Sequence, residues 1–247
     1  MPAPPRRPRF MNASAPRSFK YYDLIMAAFV CVLLCSNLIG AAKAAQLTLP
    51  VIGTVTFGAD LFFFPISYIF GDILTEVYGY GRDRRVVWAG FGALLFAAFM
   101  AFVVVHLPPA NNDFMAVYQP QLEAVFGNTW RIVAGSMVAF ACGSFANSFV
   151  LAKMKVATKG RYLWARIVGS TVVGQFVDTS LFFLIAFSGI WPTEQLLAVI
   201  VTQYLFKTIW EAVMYPATAK AVAFLKRVEG VDHFDSSTNF NPFSLKV

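Results

Sequence analysis

Charged side chains lie inside stretches of this sequence that are otherwise almost wholly apolar. Each such side chain costs about 2.5–3.5 kcal/mol at the centre of a bilayer, so it must face a bundle interior, pair, or bind a proton or ligand. Carboxylates beside an ammonium group can accept hydrogen bonds from a polar ligand and donate one to its carbonyl oxygen. The residues are Asp60, Asp72, Glu76, Asp178, Lys207 and Glu211.

Polar residues recur at helical spacing, which predicts one polar face on each of three helices. At 1.5 Å per residue, Asp72, Asp178 and Lys207 lie about 18–22 Å into their apolar stretches, near mid-membrane. We expect the three faces to surround an internal polar cavity in which Lys207 has a carboxylate partner. The alternative is salt bridges that only hold the helices together. The faces carry Tyr68, Asp72 and Glu76; Gln175 and Asp178; and Gln203, Lys207 and Glu211, and the candidate partners are Asp72, Asp178 and Glu211.

Enzyme chemistry is not indicated. The two histidines, His106 and His233, fall in predicted loops, which argues against an intramembrane serine protease or metalloprotease. No phosphate-binding glycine loop is present, and Ile69 replaces the first glycine of an aspartyl-protease G-x-G-D pattern. The three cysteines lack metal-ligand spacing and are expected to be small buried side chains. The sequence therefore predicts no catalytic residues, no metal and no cofactor.

Six long apolar stretches must position the polar residues. Hydrophobic residues make up 58% of the 247-residue chain and charged residues 13%, against about 25% in soluble domains. Each stretch reaches the roughly 20 residues that cross about 30 Å of hydrocarbon as a helix. We predict an all-α membrane protein with transmembrane helices over residues 22–44, 58–78, 86–105, 132–152, 163–190 and 195–224.

The segments outside the membrane domain, residues 21–227, are polar. Residues 1–20, rich in Pro and Arg, are predicted to be a disordered cytoplasmic tail. Residues 228–247 are predicted to be a second cytoplasmic tail, disordered at its end. The connection over residues 106–131 is predicted to be a long outer loop.

Basic residues set the predicted orientation. The net charge is +7, but the basic residues do not gather in one patch. They alternate with the apolar stretches, which indicates membrane topology rather than nucleic-acid binding. The other three connections contain only Arg131, with Lys43 at the border of the first span. Because cytoplasmic loops carry the excess of Lys and Arg, both termini are predicted to be cytoplasmic. The clusters are Arg6, Arg7, Arg9, Arg17 and Lys20; Arg82, Arg84 and Arg85; Lys153, Lys155, Lys159, Arg161 and Arg166; and Lys220, Lys226, Arg227 and Lys246.

The two halves of the chain share a weak sequence similarity. Asn37 precedes Lys43 by six residues near the end of the first span, and Asn147 precedes Lys153 likewise in the fourth. Asp72 in the second span corresponds to Asp178 in the fifth. Three spans separate each pair, so the halves would have inverted topology, a known transporter architecture. A 3+3 inverted repeat is thus a hypothesis.

One long block resembles the signature of the queuosine precursor transporter family, within the vitamin-uptake-like transporters. The block is F-P-I-S-Y-I-F-G-D-I-L-T-E-V-Y-G-Y over residues 64–80. Ser36-Asn37, the stretch Gln175 to Ser180, and the stretch Gln203 to Lys207 also agree. The resemblance implies a six-helix bacterial inner-membrane importer of 7-cyano-7-deazaguanine and 7-aminomethyl-7-deazaguanine, which feeds queuosine synthesis for transfer RNA. It also matches Asp72, Glu76, Asp178 and Lys207 to the family's polar motif positions.

The chemistry of such a base suits the polar residues. A 7-deazaguanine presents N1–H and an amino group side by side, which one carboxylate accepts together, and its O6 accepts from a lysine or an amide. The predicted partners are the base and the lipid bilayer, and a homodimer is left open. The candidate substrate-binding residues are Asp72, Asp178, Lys207, Glu76, Gln175, Gln203, Tyr68, Asn37 and Glu211.

The sequence leaves the transport mechanism open. A secondary transporter is the leading hypothesis, and a substrate-binding membrane subunit of an ATP-driven uptake system is the alternative. Two mid-depth carboxylates, Asp72 and Asp178, face the single mid-depth cation, Lys207, so one of them is expected to bind a proton. Proton coupling is therefore predicted, against facilitated diffusion as the competing hypothesis.

Overall fold

The computed structural model describes residues 19–40, 44–49, 53–58, 63–127 and 130–244, most of which are helical. Seven α-helices, one π-helical turn and two strands form within these ranges. In chain order they are α1 (Tyr22–Cys35), which continues as the π-helical turn Ser36–Gly40; β1 (Ala44–Leu49); β2 (Gly53–Gly58); α2 (Phe64–Tyr78); α3 (Tyr80–His106); α4 (Asp113–Phe126); α5 (Trp130–Ala157); α6 (Leu163–Phe187); and α7 (Thr193–Glu229).

Five helical segments are long and apolar enough to cross a membrane, within the described part of the chain. The chain is therefore a multi-pass membrane protein of helical architecture, as predicted. The five segments are Tyr22–Ile39, Tyr80–His106, Arg131–Ala157, Leu163–Phe187 and Thr193–Glu229. The second of the six predicted spans is not among them.

The second predicted span begins too early. Helix α2 starts at Phe64, with Pro65 in its first turn, where a missing amide proton costs nothing. Its 15 residues are about 22 Å long. Residues 44 and 58, predicted as span ends, instead pair across an antiparallel hairpin, Ala44 with Gly58 and Leu49 with Gly53. The first span likewise stops at Gly40 rather than at residue 44.

Other boundaries differ in ways that matter for the polar residues. The predicted outer loop contains α4, which Asn112 caps by accepting a hydrogen bond from the Met115 amide at 2.8 Å. Helix α3 begins at Tyr80 and α5 runs to Ala157, so Arg84 and Lys155 lie in helices rather than loops. Arg166, which the sequence analysis used only to assign topology, lies in the first turn of α6.

The start of α1, the joint between α2 and α3 and the end of α7 meet at one end of the bundle, called here the termini end. The amides of Lys20 and Tyr21 donate to the Glu229 carboxylate at 3.0 and 2.8 Å. The Tyr78 hydroxyl donates to the same carboxylate at 3.0 Å. Gly79 forms the α2–α3 joint at φ +88°, a conformation that favours glycine.

The predicted C-terminal tail is largely an ordered strap across the termini end. Residues 228–229 complete α7, and residues 231–244, the strap, lie against α2 and α3. The Tyr80 amide donates to Asp235, and Arg84 donates to the carbonyls of Asn239 and Asn241 at 2.7 Å. The Trp88 indole donates to the Pro242 carbonyl at 2.7 Å. The end of the predicted C-terminal tail (245–247), expected to be disordered, and the N-terminal tail up to residue 18 lie outside the described residues.

The helices pack around an apolar core near the termini end and expose apolar side chains outward. Phe29 and Leu33 of α1, Leu74 of α2 and Phe140 of α5 belong to this core. The outer surface of α3 carries exposed side chains such as Phe96, as a lipid-facing surface does. The three cysteines, Cys31, Cys35 and Cys142, are also exposed, so the expectation that they are buried is wrong.

Candidate functional site

A buried ion pair joins α6 to α7. The Lys207 Nζ lies 3.0 Å from the Asp178 Oδ2, and the two residues are 8% and 3% exposed. The same ammonium lies 4.6 Å from the centroid of the Phe64 ring at the start of α2. The prediction that Lys207 has a carboxylate partner is confirmed, and that partner is Asp178.

Asp72, on α2, has an amide partner instead of a cation. Its Oδ1 accepts a hydrogen bond from the Asn147 Nδ2 of α5 at 2.7 Å, and both residues are 1% exposed. This bond ties the second predicted span to the fourth at the level of the polar faces. Sequence reasoning had noted Asn147 only as part of the similarity between the two halves and not as a site residue.

Glu211 lies one helical turn beyond Lys207 on α7 and is held from α6. Its two oxygens accept hydrogen bonds from the Thr171 hydroxyl and the Gln175 Nε2, each at 2.6 Å. Glu211 and Gln175 are 2% and 0% exposed. The polar faces predicted on α6 and α7 therefore meet each other.

Two glycines set the close approach of α5 and α6. A Cβ at Gly143 would lie 2.5 Å from the Tyr68 hydroxyl and 2.7 Å from the Asp178 Cβ. A Cβ at Gly174 would lie 2.7 Å from the Asn147 Cβ. Small residues at such a seam let membrane helices come close enough for polar side chains to interact. The polar residues brought together, called here the central cluster, are Tyr68, Asp72, Asn147, Thr171, Gln175, Asp178, Lys207 and Glu211.

The central cluster is packed: its acids are at most 3% exposed and contact protein groups instead of lining the expected open cavity. The space beside it has a volume of about 10 Å³, roughly enough for one water molecule. Its polar lining is Ser67, Tyr68, Ser144, Asn147 and Ser148. The prediction of converging polar faces holds, but the carboxylates contact protein partners rather than an aqueous cavity.

Some buried polar atoms of the cluster have no hydrogen-bond partner among the described residues. They include the Asn147 Oδ1 and the Gln175 Oε1. Both are acceptors on amides whose NH2 groups are already bonded to carboxylates. Buried polar atoms are rarely left unpaired, so these atoms have spare capacity for a ligand.

Glu76 lies one turn after Asp72 on α2, in a second group of charges at the termini end. Its Oε1 is 2.7 Å from the Arg166 Nη2 of α6, 2.6 Å from the Lys226 Nζ of α7 and 3.6 Å from the Lys155 Nζ of α5. Lys155 also donates to the Glu76 carbonyl at 2.5 Å. Glu76, Lys155 and Arg166 are each 1% exposed or less. This group, together with Asp232, is called here the Glu76 network.

The strap contributes Asp232 to the Glu76 network. Its Oδ1 lies 2.5 Å from the Lys155 Nζ and 2.9 Å from the Lys226 Nζ. Burial acts to raise the pKa of Asp232, but the hydrogen bonds and charges of Lys155 and Lys226 outweigh it and hold the pKa below its usual value. Sequence reasoning had used all three cations, Lys155, Arg166 and Lys226, only to assign topology.

Two predicted site residues lie apart from these contacts. The Asn37 Oδ1 accepts from the Ser136 hydroxyl at 3.0 Å, which links the end of α1 to α5. Gln203 is half-buried one turn before Lys207 and has no hydrogen bond to the cluster among the described residues. Asp60 lies outside the described residues.

Comparison with known proteins gives a family and two relatives. A family model described as "Putative vitamin uptake transporter" matches residues 59–221. A Bacillus subtilis (strain 168) protein named "Probable queuosine precursor transporter" is 36% identical over 137 residues, which cover 55% of this chain and 58% of that protein. An Escherichia coli (strain K12) "Queuosine precursor transporter" is 25% identical over 176 residues, 69% of this chain and 74% of that protein. No solved structure matches the chain.

Proposed function

Because this chain belongs to the putative vitamin uptake transporter family, we propose that it carries queuosine precursors across a bacterial inner membrane. The family resemblance expected from the sequence is confirmed, and both relatives are named as transporters, in agreement with a chain that is not an enzyme. The observation that carries the proposal is the buried Asp178–Lys207 pair within the central cluster. The proposed substrates are 7-cyano-7-deazaguanine and 7-aminomethyl-7-deazaguanine.

The ion pair supplies complementary groups for the base. Asp178 accepts from the adjacent N1–H and amino donors, while Lys207 donates to O6. Substrate would thus exchange one set of charge-assisted hydrogen bonds for another, which limits the cost of separating the buried pair. The Phe64 ring beside Lys207 offers an apolar face for the flat base.

Transport requires that the cluster open in turn to each side. A cavity of about 10 Å³ is far smaller than the roughly 300 Å³ or more of a ligand pocket, so this conformation is closed around the cluster. At the termini end the Glu76 network links α2, α5, α6 and α7. We infer that the network holds this end closed and that its bonds rearrange when substrate passes.

We propose six crossings with both termini in the cytoplasm. The start of α1 and the end of α7 share Glu229 contacts, so α1 begins and α7 ends on one side of the bundle. Five crossings would put these ends on opposite sides, which supports α2 and the preceding hairpin as the sixth passage. The basic residues near the termini end support its cytoplasmic placement. The inverted repeat and a homodimer stay predictions.

The decisive experiment is uptake of each base by the purified full-length chain in liposomes, with and without an imposed proton gradient. Movement of base by the chain alone supports a secondary transporter, and binding without movement would instead favour the ATP-driven subunit. Accumulation that a dissipating ionophore abolishes supports the proposed proton coupling. Equilibration at a rate indifferent to the gradient would indicate facilitated diffusion. Absence of both uptake and binding for both bases would overturn the proposed function.

A further inference from the structure

Two amide side chains of the central cluster share one arrangement. The Asn147 Nδ2 donates to Asp72 and the Gln175 Nε2 donates to Glu211. A carboxylate can only accept, so each amide must turn its NH2 group toward its carboxylate. The carbonyl oxygen of each amide is then turned away, and in both cases it is buried with no hydrogen-bond partner among the described residues.

We propose that Asn147 is a specificity-determining residue that, together with Gln175, accepts N–H donors of the transported base. In this view Asp72 and Glu211 are positioning residues, which fix the orientation of the two amides rather than contact the substrate. The inference rests on the proposed function and revises the role of these two acids within it. It also explains why the cluster has three acids, Asp72, Asp178 and Glu211, for the single cation Lys207.

The packing around Asn147 supports a fixed orientation. Asn147 is 1% exposed, and its Cβ would lie 2.7 Å from a Cβ added at Gly174, so α6 lies directly against it. It also borders the small polar cavity next to Tyr68 and Ser144. A side chain held in this way presents its acceptor oxygen without loss of conformational freedom on binding, which favours affinity.

The arrangement selects for donor-rich ligands. A buried acceptor that meets an N–H gains a hydrogen bond, whereas one that meets another acceptor or a methyl group stays unpaired at a cost of about 1–3 kcal/mol. A 7-deazaguanine offers donors at N1, at the exocyclic amino group and at the ring nitrogen of its pyrrole. In such a site the acceptor oxygens would pair with the N–H donors of the base, and Lys207 would donate to its O6.

The test is an exchange of the two side chains. In Asp72→Asn, the two facing amides are free to turn, and Asn147 can direct its NH2 into the site. We expect the KM for 7-cyano-7-deazaguanine in liposomes to rise at least about tenfold, which corresponds to roughly 1.4 kcal/mol. In the double variant Asp72→Asn with Asn147→Asp, residue 72 donates, residue 147 accepts, and an acceptor oxygen again faces the base. We expect the KM to return to within about threefold of the wild-type value.

The outcomes separate this inference from the proposed function. Wild-type liposomes that neither take up nor bind the base would overturn both. If wild type transports and the folded double variant stays as impaired as Asp72→Asn, the acid at position 72 itself is required and this inference fails. An unchanged KM in Asp72→Asn alone would also overturn the inference. Because this variant is nearly isosteric with wild type, its KM can still test the inference if the double variant does not fold. The matching exchange, Gln175→Glu with Glu211→Gln, should behave in the same way.

Discussion

The central cluster and the Glu76 network contain the same kinds of side chain in opposite balance. Among the described residues the cluster has three carboxylates, Asp72, Asp178 and Glu211, and one cation, Lys207. The Glu76 network has two carboxylates for three cations. Both groups are largely buried, so burial alone does not distinguish them.

The two groups differ in what their carboxylates contact. In the cluster Asp72 and Glu211 are bonded to amides and a hydroxyl, and two amide oxygens keep spare acceptor capacity. In the network one carboxylate oxygen of Glu76 gathers cations from three helices. We infer that the first arrangement suits exchange with a ligand, and the second suits joining helix ends. Variants that preserve side-chain size can test this division.

The largest expected loss of stability is in Glu76→Gln. The change removes the carboxylate that three cations share, two of which are 1% exposed, and uncompensated buried charge costs about 3–5 kcal/mol. We expect a large fall in the melting temperature in detergent, while protein that remains folded keeps a nearly wild-type KM. A rise in KM like that of a cluster variant would place Glu76 in the substrate site, as the sequence predicted.

Asp178→Asn should impair uptake as well as stability. The amide replaces an acceptor oxygen with a donor that faces the donors of the base, so uptake should fall at least about tenfold at equal expression. Lys207 also loses its partner, which lowers the melting temperature. The control is the double variant Asp178→Asn with Lys207→Gln, which should recover stability but not uptake. Wild-type uptake by the single variant would show that Asp178 does not bind the substrate.

The glycine seam offers a smaller test with an internal control. In Gly143→Ala the new methyl group would meet the Tyr68 hydroxyl at 2.5 Å and the Asp178 Cβ at 2.7 Å. Overpacking of this kind costs about 1–3 kcal/mol, and here it also displaces the ion pair, so uptake should fall. Gly92→Ala on α3 meets nothing within 4 Å and should be neutral or slightly stabilising. Equal effects in thermal melts and uptake would contradict the proposed role of the seam.

The smallest expected effect is in Asp232→Asn, at the edge of the Glu76 network. The Asp232 side chain is 47% exposed, so its ion pairs should contribute no more than about 1 kcal/mol. Because its folded-state pKa is lowered, this contribution is present above the usual value of about 3.9 and is lost as pH falls through the folded-state pKa. The melting-temperature difference from wild type should therefore be seen at neutral pH, begin to shrink below about pH 4, and vanish only below the folded-state pKa. A difference independent of pH would indicate a packing effect.

The amino-acid sequence by itself determined the membrane character and the polar faces. Apolar stretches of about 20 residues and the i, i+4 spacing of acids are local properties, so five of the six spans and the pairing of Lys207 with an acid could be predicted from them. Sequence reasoning was weaker where local signals are short. It missed the paired strands β1 and β2 and helix α4, and it placed the start of α2 six residues too early.

Tertiary structure alone decided which polar residue meets which. Lys155 was predicted to lie in a loop, because nothing local shows that α5 extends five residues beyond residue 152 and brings this side chain to Glu76. The choice of Asp178 for Lys207 depends on how α6 lies against α7, and the choice of Asn147 for Asp72 depends on how α2 lies against α5. Hydrogen bonds form within about 3 Å, so helix placement, which sequence periodicity does not fix, determines each pair.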